Sequence, residues 1–336
     1  MNTNLTCRAA SPDNDREIRD IIGLFRSVHG DNYPFSGVYK SAYWKQHIGS
    51  RFVSIVLYQD DQLLGHIALQ AEGADRRMIQ VIFPLSAPDA VLSSVLINQR
   101  LWQQAEKLAQ DQQWRGFYFS ALTHIPELIP YGEQILKATP IALCPGYFAP
   151  SATAKKNGSN PKLSSIQLST DILISQRLFN PAAHKTQSIY ISSERKELVE
   201  KLYQSLGLTR EIRSKVSKEQ LQSFPLTADR LAIETRLYPN AGVLHAYIEP
   251  SLLRSQQELR SLVDASHRAN TFVFVKGYDP RALDSEEWLI ENGFEFAGVL
   301  PFIHNRESLL FTKPRDNHST HHMHAESVLM NGFLEK

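Results

Sequence analysis

Three β-rich runs followed by one long helical run constrain this chain more than any other feature. Residues 52–58 (FVSIVLY) and 63–69 (LLGHIAL) flank Asp60 and Asp61, which suit a turn, so the two runs read as a hairpin. A third run, residues 78–83, stops at Pro84. Beyond it Ser86 is placed to cap a helix and Pro88 to occupy its first turn. The apolar residues Val91, Leu92, Val95, Leu96, Leu101, Trp102, Ala105 and Leu108 then recur at helical spacing. A strand that turns directly into a helix leaves the first helical N–H groups without acceptors, and such a corner suits a phosphate or pyrophosphate.

The 336 residues allow about two domains, each long enough for its own core. Lys plus Arg number 36 against 35 Asp plus Glu, so no net charge steers the chain toward nucleic acid or an anionic membrane. The two cysteines, Cys7 and Cys144, form no metal or redox motif and read as packed, reduced thiols, although a bridge between them stays open. The first residues lack a basic start and an apolar core of leader length. No run reaches the roughly 18 apolar residues of a membrane helix. These features place the protein in the cytoplasm, with neither membrane nor nucleic acid as partner.

The order of elements continues through a strand at residues 114–120 and the start of a helix at residues 123–127, made irregular by Pro126 and Pro130. Up to this point the chain resembles the acyl-CoA-dependent N-acyltransferases of the GNAT superfamily. The resemblance rests on VLYQDDQLLGHIAL as the central hairpin, VIFPLSAPDAVLSSVLINQRLWQQAEKLA as the cofactor strand and helix, and GFYFSALTHIPELIPYGEQILKATPIALCPGYF as the remainder, across roughly residues 5–150. It implies an α/β fold, a mixed and mostly antiparallel sheet flanked by helices. It also implies acetyl-CoA or another acyl-CoA as substrate, and no metal. Backbone N–H groups near Val81, Ile82 and Phe83 would bind the cofactor's thioester end and hold the oxyanion, and Ala87, Asp89 and Ala90 would hold the pyrophosphate. The family usually carries Arg or Gln and two spaced glycines at that corner. Here the places are held by Ala87, Pro88, Ala90 and Leu92, of which Pro88 removes a donor and Leu92 adds a side chain.

The resemblance also proposes chemistry. A polar residue after the fifth strand, followed seven positions later by a tyrosine that protonates the leaving thiolate, corresponds to His124 and Tyr131. Glu72 stands near the place of the family's base, beside the alternative of a solvated loop charge, and His66 is a second candidate beside the alternative of a hydrogen-bonded core residue. At the N-terminus a short strand near residues 7–10 leads to a cap at residues 11–13 and a helix with Ile18, Ile21, Ile22, Phe25 and Val28 on one face. Tyr33, Phe35, Tyr39, Tyr43 and Trp44 follow, either as a substrate wall or as packing onto the sheet.

Residues 151–161 break every periodicity, and a further strand closes the first lobe near residue 170. The order then restarts with a strand at 188–192, a helix at 193–206, and a hairpin at 230–248 turning about Pro239 and Asn240. A helix at 251–269, a strand at 271–276 and a helix at 280–291 follow, ending in ENGFEFAGVLP with Gly293 as helix terminator. We therefore expect tandem lobes: residues 1–172 with the acyl-CoA site, residues 173–314 as a degenerate copy in which Leu252 and Leu253 fill the corner, and a tail at 315–336. His318, His321, His322 and His324 in that tail lack a regular apolar pattern and read as adventitious metal affinity. Two functions remain: transfer of an acyl group to a small-molecule or peptide amine, or a noncatalytic binding or regulatory module that keeps the fold.

Overall fold

The computed structural model describes residues 4–31, 33, 35–72, 76–123, 131–148, 170–224, 233–238, 242–250, 256–267, 269–303, 307–313 and 329. The fold is mixed α/β, and the chain forms two compact units: Met1–Phe119, Pro130–Ala138 and Arg177–Phe179 make the first, and Ser120–Ile129, Thr139–Gln176 and Asn180–Lys336 the second.

The first unit contains strand β1 (Leu5–Ala9), helix α1 (Asp15–His29), helix α2 (Ser41–His47) and strands β2 (Phe52–Gln59), β3 (Gln62–Glu72) and β4 (Met78–Ser86). Helix α3 (Ser94–Asp111) and the first four residues of β5 (Gly116–Leu122) complete it. Its strands lie in the order β1-β2-β3-β4-β5, antiparallel except for β4 beside β5. Helix α1 forms because Asn14 accepts the N–H groups of Arg16 and Glu17, and because Ile18, Ile21, Ile22 and Phe25 share its buried face. The cap expected at residues 11–13 therefore sits one residue later.

Helix α3 departs further from expectation. β4 runs on past Pro84 to Ser86, and the helix begins only at Ser94, where Ser93 Oγ accepts the N–H of Leu96. Ser86 is a strand residue, Pro88 lies in the connection and Val91 is 91% exposed, so none belongs to the helix. Ile97, Leu101, Trp102, Ala105 and Ala109 form its buried stripe.

The second unit holds β6 (Thr139–Phe148), most of β7 (Thr170–Leu178), β8 (Gln187–Tyr190), helix α4 (Lys196–Ser205), β9 (Arg210–Arg213) and helix α5 (Lys218–Ser223). β10 (Ile233–Tyr238), β11 (Val243–Ile248), α6 (Gln256–Ser266), β12 (Asn270–Lys276), α7 (Ala282–Glu291), β13 (Glu295–Leu300) and β14 (Ser308–Lys313) follow. The strand order is β7-β6-β13-β14-β12-β11-β10, and β8 and β9 pair separately in parallel. Gly298 faces Ala142 where β13 meets β6; its φ is +136°, and a Cβ there would meet the Ile141 carbonyl and Ala142. Only glycine satisfies both demands. Gly293 ends α7 with φ +78°, as the sequence predicts.

Arg210 and Glu307 form a nearly inaccessible ion pair at 2.7 Å, their side chains 1% and 4% exposed. The Tyr203 hydroxyl donates to the other Glu307 oxygen at 3.1 Å, and the Arg210 guanidinium lies over the rings of Tyr203 and Phe302 at 5.6 Å. Burial and the neighbouring carboxylate push the Tyr203 hydroxyl well above its ordinary pKa. Among the described residues no helix is long and apolar enough to cross a membrane.

Candidate functional site

β4 is the strand that departs from regular geometry. It pairs with β5 from Met78–Gly116 to Val81–Phe119, and that ladder then ends while β4 continues to Ser86 against β3. Between His66 and Ala68 on β3, the partner on β4 jumps from Leu85 to Ile82, so β4 carries one extra residue. Phe83 takes φ +55° there, an uncommon conformation for a bulky residue. Pro84 follows, and a bulge is where a strand tolerates a residue without an N–H. Val81, Ile82 and Phe83, whose backbone is expected to hold the oxyanion, are therefore one short segment at the end of the parallel ladder.

His66 lies beneath this bulge and is fully buried. Its Nδ1 is 3.3 Å from the Phe83 carbonyl oxygen and its Nε2 is 3.1 Å from Ser54 Oγ. A carbonyl only accepts, so Nδ1 carries the proton and Nε2 accepts from the serine hydroxyl. Both ring nitrogens are occupied, and burial holds the imidazole down to about 3. His66 is thus a neutral, hydrogen-bonded core residue at ordinary pH, and the base alternative falls.

A pH effect follows. The unfolded chain takes up this proton near pH 6.5, whereas the folded chain resists it until about pH 3. Stability from this group is intact above about pH 6.5 and declines as pH falls from there toward 3, at up to about 1.4 kcal/mol per pH unit. His66→Phe is expected to flatten that slope, read as melting temperature against pH between about 7 and 5. An unchanged slope would assign the effect to other groups.

Most of the aromatic residues after α1 form core, whereas Phe35 is 47% exposed. Trp44 and Phe25 are fully buried, and Tyr33, Tyr39, Tyr43 and Phe83 pack against them. Trp44 Nε1 donates to the Val38 carbonyl at 2.8 Å, and the Tyr39 hydroxyl donates to Gly30 and accepts from Tyr33 N–H. Packing, the second of the two readings of this segment, is what the geometry supports. Phe83 itself meets Phe25 and Tyr33 edge to face at 5.5 and 6.0 Å.

The corner after β4 differs from the one expected. The N–H of Ala87 donates to Leu64 and that of Ala90 to Ala87, so neither is directed at a ligand. Ala87, Pro88 and Asp89 line an open groove shared with Arg19, Asp20, Asp60 and Asp61, where carboxylates outnumber cations. Unoccupied helical donors are instead expected at the start of α3, at Ser94 and Val95.

Of the proposed acid–base residues, Tyr131 heads the π-turn Tyr131–Ile135, and Glu72 is the last residue of β3, opposite Met78 rather than in a turn. His124 and the tail histidines lie outside the described residues. Among the described residues no group of three or more His, Cys, Asp or Glu is close enough to hold a metal ion.

The second unit has a counterpart of this strand pair without its irregularity. β10 and β11 are antiparallel and in unbroken register, α6 follows, and β12 pairs in parallel with β11 over all six residues from Val243 to Ile248. Just after β11, the Glu249 carboxylate is ion-paired with Lys276.

No family model matches the sequence, and no curated protein matches it. Solved structures do. A GNAT-family acetyltransferase from Streptococcus pneumoniae matches at 10% identity and a TM-score of 0.40, covering 52% of this chain and 100% of that one. YncA of Salmonella typhimurium, solved with its cofactor acetyl-CoA, matches at 12% identity and 0.40, covering 54% and 96%. The ribosomal-protein-S18-alanine N-acetyltransferase of Escherichia coli matches at 11% identity and 0.38, covering 52% and 92%. Each of these matches spans about half of this chain and nearly all of the other.

Proposed function

We propose that the first unit binds acetyl-CoA or another acyl-CoA and transfers its acyl group to an amine. The bulge at Phe83 carries the reading: the parallel ladder with β5 ends at Val81 and β4 bulges just beyond it, and in this proposal the backbone N–H groups near Val81, Ile82 and Phe83 serve the ligand there. In the proposed reaction the neutral amine attacks the thioester carbon, forming the C–N bond and a tetrahedral oxyanion held by those N–H groups. Collapse breaks the C–S bond, and the Tyr131 hydroxyl gives its proton to the departing thiolate. Glu72, directly or through water, takes the proton shed by the amine. The two unbridged cysteines fit a cytoplasmic setting.

The pyrophosphate belongs at the start of α3, near Ser93, Ser94 and Val95, with Ala87, Asp89 and Ala90 along its flank. This seat keeps two anions away from Asp60 and Asp61 and uses the positive end of an 18-residue helix. The tandem division, with one lobe retired, is part of the proposal. It is supported by the repeated order of hairpin, helix and parallel strand, by the complete β11–β12 ladder, and by Glu249 just beyond β11.

Calorimetry with acetyl-CoA and longer acyl-CoAs tests this, with one equivalent per chain expected. Ala90→Glu and Val95→Glu should each weaken binding about tenfold, or about 1.4 kcal/mol, while the melting temperature holds. Two equivalents would show that the second unit retains a site. Absence of binding would favour the noncatalytic module, the alternative to which the altered corner at Ala87, Pro88 and Ala90 points.

A further inference from the structure

We infer that His66 is a positioning residue, holding the β4 backbone at Phe83 in the conformation that keeps the bulge open. What the bulge serves rests on the acyl-transfer reading; what holds it rests on geometry alone. Phe83 sits at φ +55° without being glycine, and such a conformation persists only where its surroundings over-determine it. One surrounding group is the Nδ1–H of His66, 3.3 Å from the Phe83 carbonyl.

The imidazole is itself fixed from its other side. Ser54 Oγ, fully buried on β2, donates to Nε2 at 3.1 Å, and this hydrogen bond selects the tautomer with its proton on Nδ1. Trp44 stands perpendicular to the ring at 5.4 Å and Phe25 lies at 6.3 Å, so the ring has no room to turn. The result is a relay from Ser54 through His66 to the Phe83 carbonyl. If the carbonyl were released, Phe83 could relax toward extended geometry. The extra residue would then be lost from the register, and its N–H would turn from the free side of β4. His66 would act through the backbone, never touching substrate.

Three substitutions separate this role from mere packing. His66→Asn places an amide N–H near the position of Nδ1, His66→Gln places one near Nε2, and His66→Phe keeps only the ring. In the free protein, hydrogen exchange at the Phe83 amide is expected to stay near wild type in His66→Asn and to slow in the other two, as that N–H turns from the free side of β4 into the ladder. Acetyl-CoA affinity by calorimetry should follow the same order, falling about tenfold or more in His66→Gln and His66→Phe. If His66→Phe does not fold, the Asn and Gln pair carries the comparison. Unchanged exchange in every folded variant, or equal loss in His66→Asn and His66→Gln, would overturn the inference. If the wild type binds no acetyl-CoA while the exchange pattern holds, the acyl-transfer reading fails and the positioning role stands.

Discussion

Replacement of Glu307 by alanine is expected to lower stability by about 3–5 kcal/mol, because it strands the Arg210 guanidinium where water cannot reach it. Arg210 is 1% exposed, lies against two aromatic rings and has Glu307 as its carboxylate partner. The Tyr203 hydroxyl loses its acceptor in the same step. Urea unfolding followed by circular dichroism reads the loss. The double variant Arg210→Met, Glu307→Leu should recover most of it, since a buried pair exchanged for apolar residues of similar volume is often neutral. A loss below about 1 kcal/mol in Glu307→Ala would mean that Arg210 finds solvent after a small movement.

The second large effect is kinetic. Tyr131→Phe keeps the ring at the head of the π-turn and removes the hydroxyl, so under the proposed mechanism the departing thiolate loses its acid. General acid–base help is worth about 100- to 10,000-fold, and a loss near 100-fold is expected because a thiolate leaves tolerably well unaided. Thiol release measures it once an accepted amine is in hand, with melting temperature recorded alongside. Full turnover would remove Tyr131 from the mechanism. A large fall in melting temperature with unchanged kinetics would make the hydroxyl structural.

The long elements were legible because their signals agree. The β2–β3 hairpin combines β-rich runs with Asp60 in a positive-φ turn, and α1 combines an apolar stripe with a polar N-terminus. The start of α3 was misread because Ser86 and Pro88 have the chemistry of a cap and a first turn. Pro84 resembles a strand terminator, yet the bulge absorbs its missing N–H and β4 continues. Local chemistry pointed to one boundary and tertiary pairing selected another.

Other elements were missed for different reasons. β9 reads REIR, a polar sequence that becomes a strand through its pairing with β8 and the burial of Arg210 on Glu307. β14 is a short buried run without alternation, which periodicity alone does not assign. Helix α5 was readable, since Ser217 and Gln220 form a capping box. At the site, the sequence indicated the segment from Val81 to Phe83 but not its bulge, which depends on a contact between residues 17 positions apart. His66 offered no more signal than any lone strand histidine.

The interleaving of the two units along the chain has a practical and a biosynthetic consequence. The backbone passes from one unit to the other after Phe119, Ile129, Ala138, Gln176 and Phe179. No single cut separates one unit from the other: a fragment ending at Phe179 holds the whole first unit but also β6 and most of β7, and one beginning at Ser120 holds the whole second unit but also Pro130–Ala138 and Arg177–Phe179 of the first. In order of synthesis the last segment of the first unit, Arg177–Phe179, follows β6 and most of β7 of the second. A nick within residues 121–176 therefore takes a piece from both units at once.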